Sequence, residues 1–347
     1  MKRVLLILLA VVLAISLGLV GCNGDGNGNG EELLTIGIFQ ILSHPALDAA
    51  REGFKDAFKA ALKDEGLTEG DVVFIERNAA GDPVTNAAIA DYFVGLPVDL
   101  ILAISTPCVQ AAALAVEGTD IPVVFNSVTN PVVAGVVDSW DVPGGQITGV
   151  SDIAPVDPQL QLILDIFAAN NITLEKLGVM YNPGEDNSVY QVDVQLPEAI
   201  ALLGLNITVV KSPAMDTAGV LPAAEALATA PLGPVDAIWI PTDNTVVTAF
   251  EAVVGVCEDN DIPLFAADVA TIERGAVGCW GLNYYDVGYT SGLMAGEILL
   301  EGADPAVMPV QTAPADELHL YPEAAVRMGV TIPEWLIDMA DVVYVDP

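Results

Sequence analysis

The chain is 347 residues long, 53% of them apolar, and carries 47 Asp and Glu against 11 Lys and Arg, for a formal net charge of −36. The apolar content supports large cores and excludes a disordered chain, and the length suits about two domains. The charge excludes nucleic acid as a partner, since phosphate binding needs clustered Lys and Arg; an acidic ligand would have to rest on backbone N–H groups and hydroxyls.

Lys2 and Arg3 open the chain, an apolar run from Val4 to Val20 follows, and Leu19-Val20-Gly21-Cys22 closes it. A basic start, an apolar middle and a small-residue cut site define a secretory leader. The tetrapeptide resembles a bacterial lipobox, which implies that Cys22 receives lipid and becomes the new N-terminus. The alternating Asn/Asp-Gly segment from Asn23 to Gly30 reads as a flexible tether. Residues 1–22 are therefore expected to be a signal and 23–32 a tether, with the body outside the cytoplasmic membrane. A plain membrane anchor with an incidental cysteine is the alternative for the same residues.

From residue 33 to residue 301, β-branched apolar runs alternate with Ala-rich amphipathic segments. The runs at 34–40, 72–77, 100–105, 123–126 and 147–151, then 177–182, 207–211, 237–241, 264–267 and 276–283, predict strands. The segments at 46–62, 85–93, 109–116, 157–169, 189–203, 218–229, 245–259 and 287–301 predict helices. Such alternation means parallel sheets buried on both faces, an α/β class. The chain also repeats one plan. Val98-Asp99 leads through a strand and a helix to Asp120-Ile121-Pro122, and Val235-Asp236 leads in the same way to Asp261-Ile262-Pro263. Thr35-Ile36-Gly37-Ile38-Phe39 mirrors Lys176-Leu177-Gly178-Val179-Met180. Three motifs in one order predict two similar Rossmann-like lobes. Open parallel sheets bind ligands beyond the carboxyl ends of their strands, so two facing lobes would share one cleft that closes over a small ligand.

The loops at those strand ends hold the candidate binding residues. Ser105, Thr106, Ser127 and Thr129 stand where helices begin, which suits both helix capping and a ligand carboxylate. Asp243 and Asp268 offer a counter-charge for a ligand ammonium, and as alternatives a helix cap and a surface position. Asn187, Ser188 and Asn244 complete the second lobe's loops, although an Asn-Pro-Gly turn accounts for nearby polar residues equally well. His44 edges the first strand-to-helix loop, and Phe39, Tyr181, Tyr284 and Tyr285 offer either an aromatic wall or core packing. Opposed anion and cation sites are what a zwitterionic amino acid requires.

Enzyme signatures are missing. Ile36-Gly37-Ile38-Phe39-Gln40 does not continue as GxGxxG, and no Walker loop, GxSxG elbow or HExxH occurs. No cofactor and no metal are expected: the two histidines, His44 and His319, are far apart in sequence. Cys108, Cys257 and Cys279 have no metal-ligand spacing; they read as three buried thiols or as a Cys257–Cys279 disulfide plus one thiol.

The segments IGIFQILSHPALDAAREGFKDAF, NAAGDP, ISTPCVQAA, IPVVFNSVTNPV, TGVSDIAPV, GVMYNPGEDNSV, IPTDNTVV and GLNYYDVGYTSGLMAGEIL closely resemble the substrate-binding lipoproteins of ABC importers, of the type linked to tryptophan and tyrosine uptake. The resemblance spans about residues 33 to 335. It implies a type I periplasmic-binding-protein architecture with three hinge crossings, 33–152 plus 281–302 forming the first lobe and 153–280 plus 303–347 the second. It further implies an aromatic amino acid as ligand, its carboxylate on Ser105, Thr106, Ser127 and Thr129, its ammonium near Asp243 or Asp268, and Asn187 and Ser188 closing over it. The implied partners are an ABC permease and its ATPase, met by a monomer anchored through lipid. A nucleoside, purine or sugar as cargo, and a sensing role without transport, are the competing readings.

Overall fold

The structure, a computed structural model, describes residues 33–229 and 234–346. The predicted leader, the tether and the lipidation site at Cys22 lie outside the described residues.

The first five strands, β1 (Leu34–Gln40), β2 (Val72–Asn78), β3 (Leu100–Ile104), β4 (Val123–Asn126) and β5 (Ile147–Ser151), pair in parallel in the order β2-β1-β3-β4-β5. Helices α1 (Pro45–Asp64), α2 (Pro83–Val94) and α3 (Thr106–Ala115) connect them. β3 is buried along its whole length, as a strand covered on both faces must be.

The plan then repeats. Strands β6 (Lys176–Tyr181), β7 (Thr208–Pro213), β8 (Ala237–Ile240), β9 (Leu264–Ala266) and β10 (Gly278–Gly281) pair in the order β7-β6-β8-β9-β10. Their helices are α4 (Val156–Ala169), α5 (Asp186–Tyr190), α6 (Leu196–Leu202), α7 (Val220–Thr229), α8 (Asn244–Thr248) and α9 (Phe250–Asp259). The predicted helix 189–203 is in fact α5 and α6 joined by a π turn at Gln191–Gln195, and 245–259 breaks at Ala249 into α8 and α9.

Hydrogen bonding explains why Val-Asp recurs ahead of the third strand of each lobe. Asp99 Oδ2 accepts the backbone N–H of Thr35 at 2.7 Å, and Asp236 Oδ2 accepts that of Lys176 at 2.7 Å. In both lobes this aspartate staples the start of the first strand to its neighbour. The paired glycines have a common cause too. A Cβ on Gly37 would lie 2.7 Å from the Phe93 ring, and one on Gly178 2.9 Å from Val235 Cγ2.

The chain crosses between the lobes three times. After β10, α10 (Tyr284–Leu300) returns to the first sheet and packs along α1. A short strand β11 (Gln311–Thr312) then pairs with β5, and Met308, Val310 and Ala313 join the first core. The first lobe therefore extends beyond residue 302, where the resemblance placed its end; the stretch after 301, broken by Pro305 and Pro309, carries no signal of a two-residue strand. The chain next enters the second sheet through β12 (Glu317–Leu320), antiparallel to β10, followed by α11 (Pro322–Arg327), α12 (Glu334–Met339) and β13 (Val342–Val343). The crossings are tied together: Tyr284 OH donates to Asp152 Oδ2 at 3.1 Å, and Asn283 Nδ2 to Glu317 Oε1 at 3.2 Å.

Cys108, Cys257 and Cys279 are separate buried thiols, so the disulfide alternative fails. Burial pushes the Cys257 thiol up to about 12.

Candidate functional site

Residues that follow the C-terminal ends of strands in both sheets line one cavity. The first lobe contributes His44, Leu47, Ser127 and Thr129; the second contributes Asn187, Thr242, Asp243, Asn244, Val247 and Asp268; the crossings add Asp152 and Tyr284. The site thus forms where open parallel sheets bind ligands. The cavity is closed and small, about 20 Å³ measured to the centre of a water molecule. The lobes touch across it: the Thr129 and Thr242 hydroxyls lie 3.1 Å apart, and Gln110 Nε2 donates to Asp186 Oδ2 at 2.7 Å on the rim.

Ser105 and Ser127, each just past a strand of the first sheet, have positive φ, 94° and 56°. Non-glycine residues are rarely held there, and such backbone strain gathers at functional sites. The Ser105 and Thr106 hydroxyls are buried with no hydrogen-bond partner. Neither residue lines the closed cavity, however, whereas Ser127 does. Thr129, read from sequence as a carboxylate ligand, instead donates to Asp152 Oδ1 at 3.0 Å. Its hydroxyl therefore belongs to the acidic side of the cavity.

Two residues assigned to ligand are held by backbone groups. The Ser188 hydroxyl donates to the backbone carbonyls of Glu185 (3.3 Å) and Asn182 (3.4 Å) and stays off the cavity wall. Asp243 borders the cavity, but Oδ1 accepts from Val246 N at 2.7 Å and Oδ2 from Asn182 N at 2.5 Å. It is the N-cap of α8 and the staple of the loop after β6, the capping role that the sequence also allowed. Asp268 differs: Oδ1 caps the following turn through Ala270 N (2.9 Å), and among the described residues Oδ2 has no donor.

The electrostatics are one-sided. Burial raises Asp152 to about 6. Burial, then the charge of Asp152, raises Asp268 to about 6. Burial, then Glu185, raises Asp243 to about 7. Burial, then Arg274, lowers His44 to about 4, so its imidazole is neutral, with Nδ1 unpartnered. Arg274 itself is engaged by Glu251 at 2.7 Å and by the Val247 carbonyl. Buried carboxylates without an ion pair call for a cation. Among the described residues no group of three or more His, Cys, Asp or Glu is arranged to hold a metal ion.

Sequence reasoning missed Asp152, Leu47 and Val247 as lining residues, left Thr242 out of the ligand set although it opens a strand-end loop, and weighed Tyr284 as an aromatic wall or core packing. Asp152 and Tyr284 sit on crossings, each one residue past a predicted strand, 147–151 and 276–283, a position that could have marked them. Phe39 is instead a core residue and His319 pairs with Glu317 in the second lobe. Gln110 makes its bond to Asp186 only while the lobes touch. Gln110→Ala should therefore weaken ligand affinity about threefold, as loss of one exposed hydrogen bond implies. Titration calorimetry checks this, and an unchanged Kd removes the bond from the closing energy.

Two α/β lobes with the strand order 2-1-3-4-5, three crossings and a ligand cleft between them define a type I periplasmic-binding-protein fold. The family described as ABC transporter substrate binding protein matches residues 35–344, and the chain belongs to it. It is 36% identical over 327 residues to a tyrosine-binding protein of Clostridioides difficile (strain R20291), covering 91% of this chain and 89% of that one. It is similar to an ABC domain from Streptococcus pneumonia solved in complex with L-Trp, at 30% identity and a TM-score of 0.81, covering 90% of this chain and 99% of that one. It is also similar to the ligand-free, open structure of a substrate-binding protein with adhesive properties from Clostridium difficile, at 34% identity and a TM-score of 0.64, covering 90% and 100%. At comparable identity the tryptophan complex superposes better than the open structure, which agrees with lobes in contact here.

Proposed function

We propose that the chain is an extracytoplasmic receptor for a free aromatic L-amino acid, which it delivers to an ABC permease without chemical turnover. The single observation that carries the reading is the interlobe cavity: the Asp268 carboxylate, with no ion pair among the described residues, and the unpartnered Asn187 Oδ1 meet in it beside the apolar walls of Leu47, Val247 and Tyr284. Such a lining matches a ligand ammonium next to an apolar side chain, and the tyrosine- and tryptophan-binding relatives support it. Ser127 and the unpaired hydroxyls of Ser105 and Thr106 are the proposed carboxylate contacts, reached once the lobes reclose on ligand. The closed cavity is too small for an aromatic amino acid, so the lobes, hinged at the three crossings, part before binding. A lipid on Cys22 and the tether would hold this monomeric receptor close to the permease. Among the described residues no helix is long and apolar enough to cross a membrane.

Thermal melts with a panel of L-amino acids, inosine and glucose test the reading. Tryptophan, tyrosine or phenylalanine at 100 times its Kd should stabilise the fold by about 2.7 kcal/mol. A response to inosine or glucose alone, or to nothing, overturns it.

A further inference from the structure

Glu185 lies in the turn between β6 and α5 and is 7% exposed. Its carboxylate accepts five hydrogen bonds. Oε2 takes them from Asn244 N (3.0 Å), Asn244 Nδ2 (2.6 Å) and Asn187 Nδ2 (3.3 Å), and Oε1 from Thr245 N (3.0 Å) and Thr245 Oγ1 (2.7 Å). Among the described residues it makes no ion pair. Burying such a charge is costly, and α8 already has a cap in Asp243. Glu185 takes the first two N–H groups of α8, Asn244 and Thr245, which Asp243 leaves open, and beyond that it orients two side chains that line the cavity.

A side-chain amide presents donors on one side and an acceptor on the other. The Asn187 nitrogen faces Glu185 Oε2 and the Thr242 carbonyl, which lies 2.5 Å away. Both neighbours only accept, so the nitrogen is fixed there, and Oδ1 is left buried without a partner. The Asn244 nitrogen donates to Glu185 Oε2 with one of its two hydrogens. With Asp268 beside it, Asn187 offers the cavity an oxygen and no amide N–H, since both of its hydrogens are taken.

We propose that Glu185 is a positioning residue for ligand selectivity: it holds the amide nitrogens of Asn187 and Asn244 on its carboxylate and so leaves the Asn187 oxygen for the cavity, and the second-lobe wall accepts a protonated amine and rejects the same skeleton without one. The proposal rests on the amino-acid reading above. Glu185 itself touches no ligand.

The test compares L-tyrosine with 3-(4-hydroxyphenyl)propanoate, which lacks only the amine, by titration calorimetry on the whole mature protein. The wild type should strongly prefer tyrosine. Glu185→Gln matches the volume but carries a donor, so it cannot accept all five bonds and releases an amide to turn. Tyrosine affinity should fall about 10-fold, as loss of a charged hydrogen-bond acceptor network implies, and the preference over the amine-free acid should shrink by about the same factor. Thr245→Val removes one Glu185 bond and the Asn182 Nδ2 bond to the same hydroxyl but leaves Asn187 and Asn244 held, and should leave the preference intact. A Glu185→Gln protein that loses both ligands equally overturns the proposal while leaving the amino-acid reading standing. A wild type that binds neither overturns both. A second variant tests the amide orientation directly should Glu185→Gln not fold. Asn187→Ala removes the cavity-facing oxygen without setting an acceptor against Glu185, and should shrink the tyrosine preference. An unchanged preference in that variant means that Asn187 offers no oxygen to the amine, and overturns the proposal.

Discussion

Asp268→Asn is expected to cost about 100-fold in affinity for an aromatic amino acid and, in the same protein, to raise the melting temperature without ligand. The two effects share one cause. Asp268 is 3% exposed, its Oδ1 already serves the Ala270 N–H, and its charge is disfavoured by burial and by Asp152. In the unliganded protein that charge is a cost, and asparagine can still cap through its carbonyl oxygen. In the complex the charge is what pairs with the ammonium, and truncating one partner of a buried charged pair costs about 2–5 kcal/mol. Three kcal/mol in the middle of that range corresponds to about 100-fold. Titration calorimetry and thermal melts on the same preparation check both halves. Undiminished affinity would remove Asp268 from the cation site. Reduced affinity together with a lower melting temperature would make it a structural cap like Asp243.

The lobes were legible because their causes are local. Continuous apolar strands, a helix after each, and an aspartate placed to staple the first strand recur in order, and the strand ends point to the loops that carry the site. The limits were equally physical. Asp243 and Asp268 look alike in sequence, each an acid just past a strand; whether a second backbone N–H takes up the other oxygen depends on the loop at Asn182, far away in the chain. Ser188 turned inward to the Asn182 and Glu185 carbonyls, which share it with backbone N–H groups in the turn, and no periodicity encodes that. Asp152 and Tyr284 meet only because two crossings run side by side. Glu185 passed for a turn residue because its five donors come from segments about 60 positions away as well as from its own turn.

Lowering the pH from about 7 to about 5 should stabilise the unliganded protein and abolish most of the stabilisation that ligand brings. Asp152 and Asp268 are raised to about 6 and Asp243 to about 7, so the folded state binds more protons than the unfolded state in this range. Stability therefore falls as pH rises through these values and grows as acid is added. Treated independently, Asp152 and Asp268 contribute about 1 kcal/mol each over this interval and Asp243 about 2 kcal/mol. His44 opposes them: its folded pKa is depressed to about 4, so the unfolded state takes up the proton first, costing about 2 kcal/mol over the same interval. The balance is a gain of about 2 kcal/mol, and in His44→Gln the opposing contribution disappears, so the rise toward acid should be steeper. Ligand reverses the sign. A bound ammonium needs Asp268 and Asp152 ionised, so protons compete with it, and the ligand-induced rise in melting temperature should be largest near pH 7 and shrink below pH 6. Calorimetric melts at three pH values, on wild type and His44→Gln, with and without tyrosine, separate these contributions. Unliganded stability that falls toward pH 5 even in His44→Gln would mean that the three aspartates are already ionised at no cost, and that the cavity is not the electrostatically unbalanced site described above.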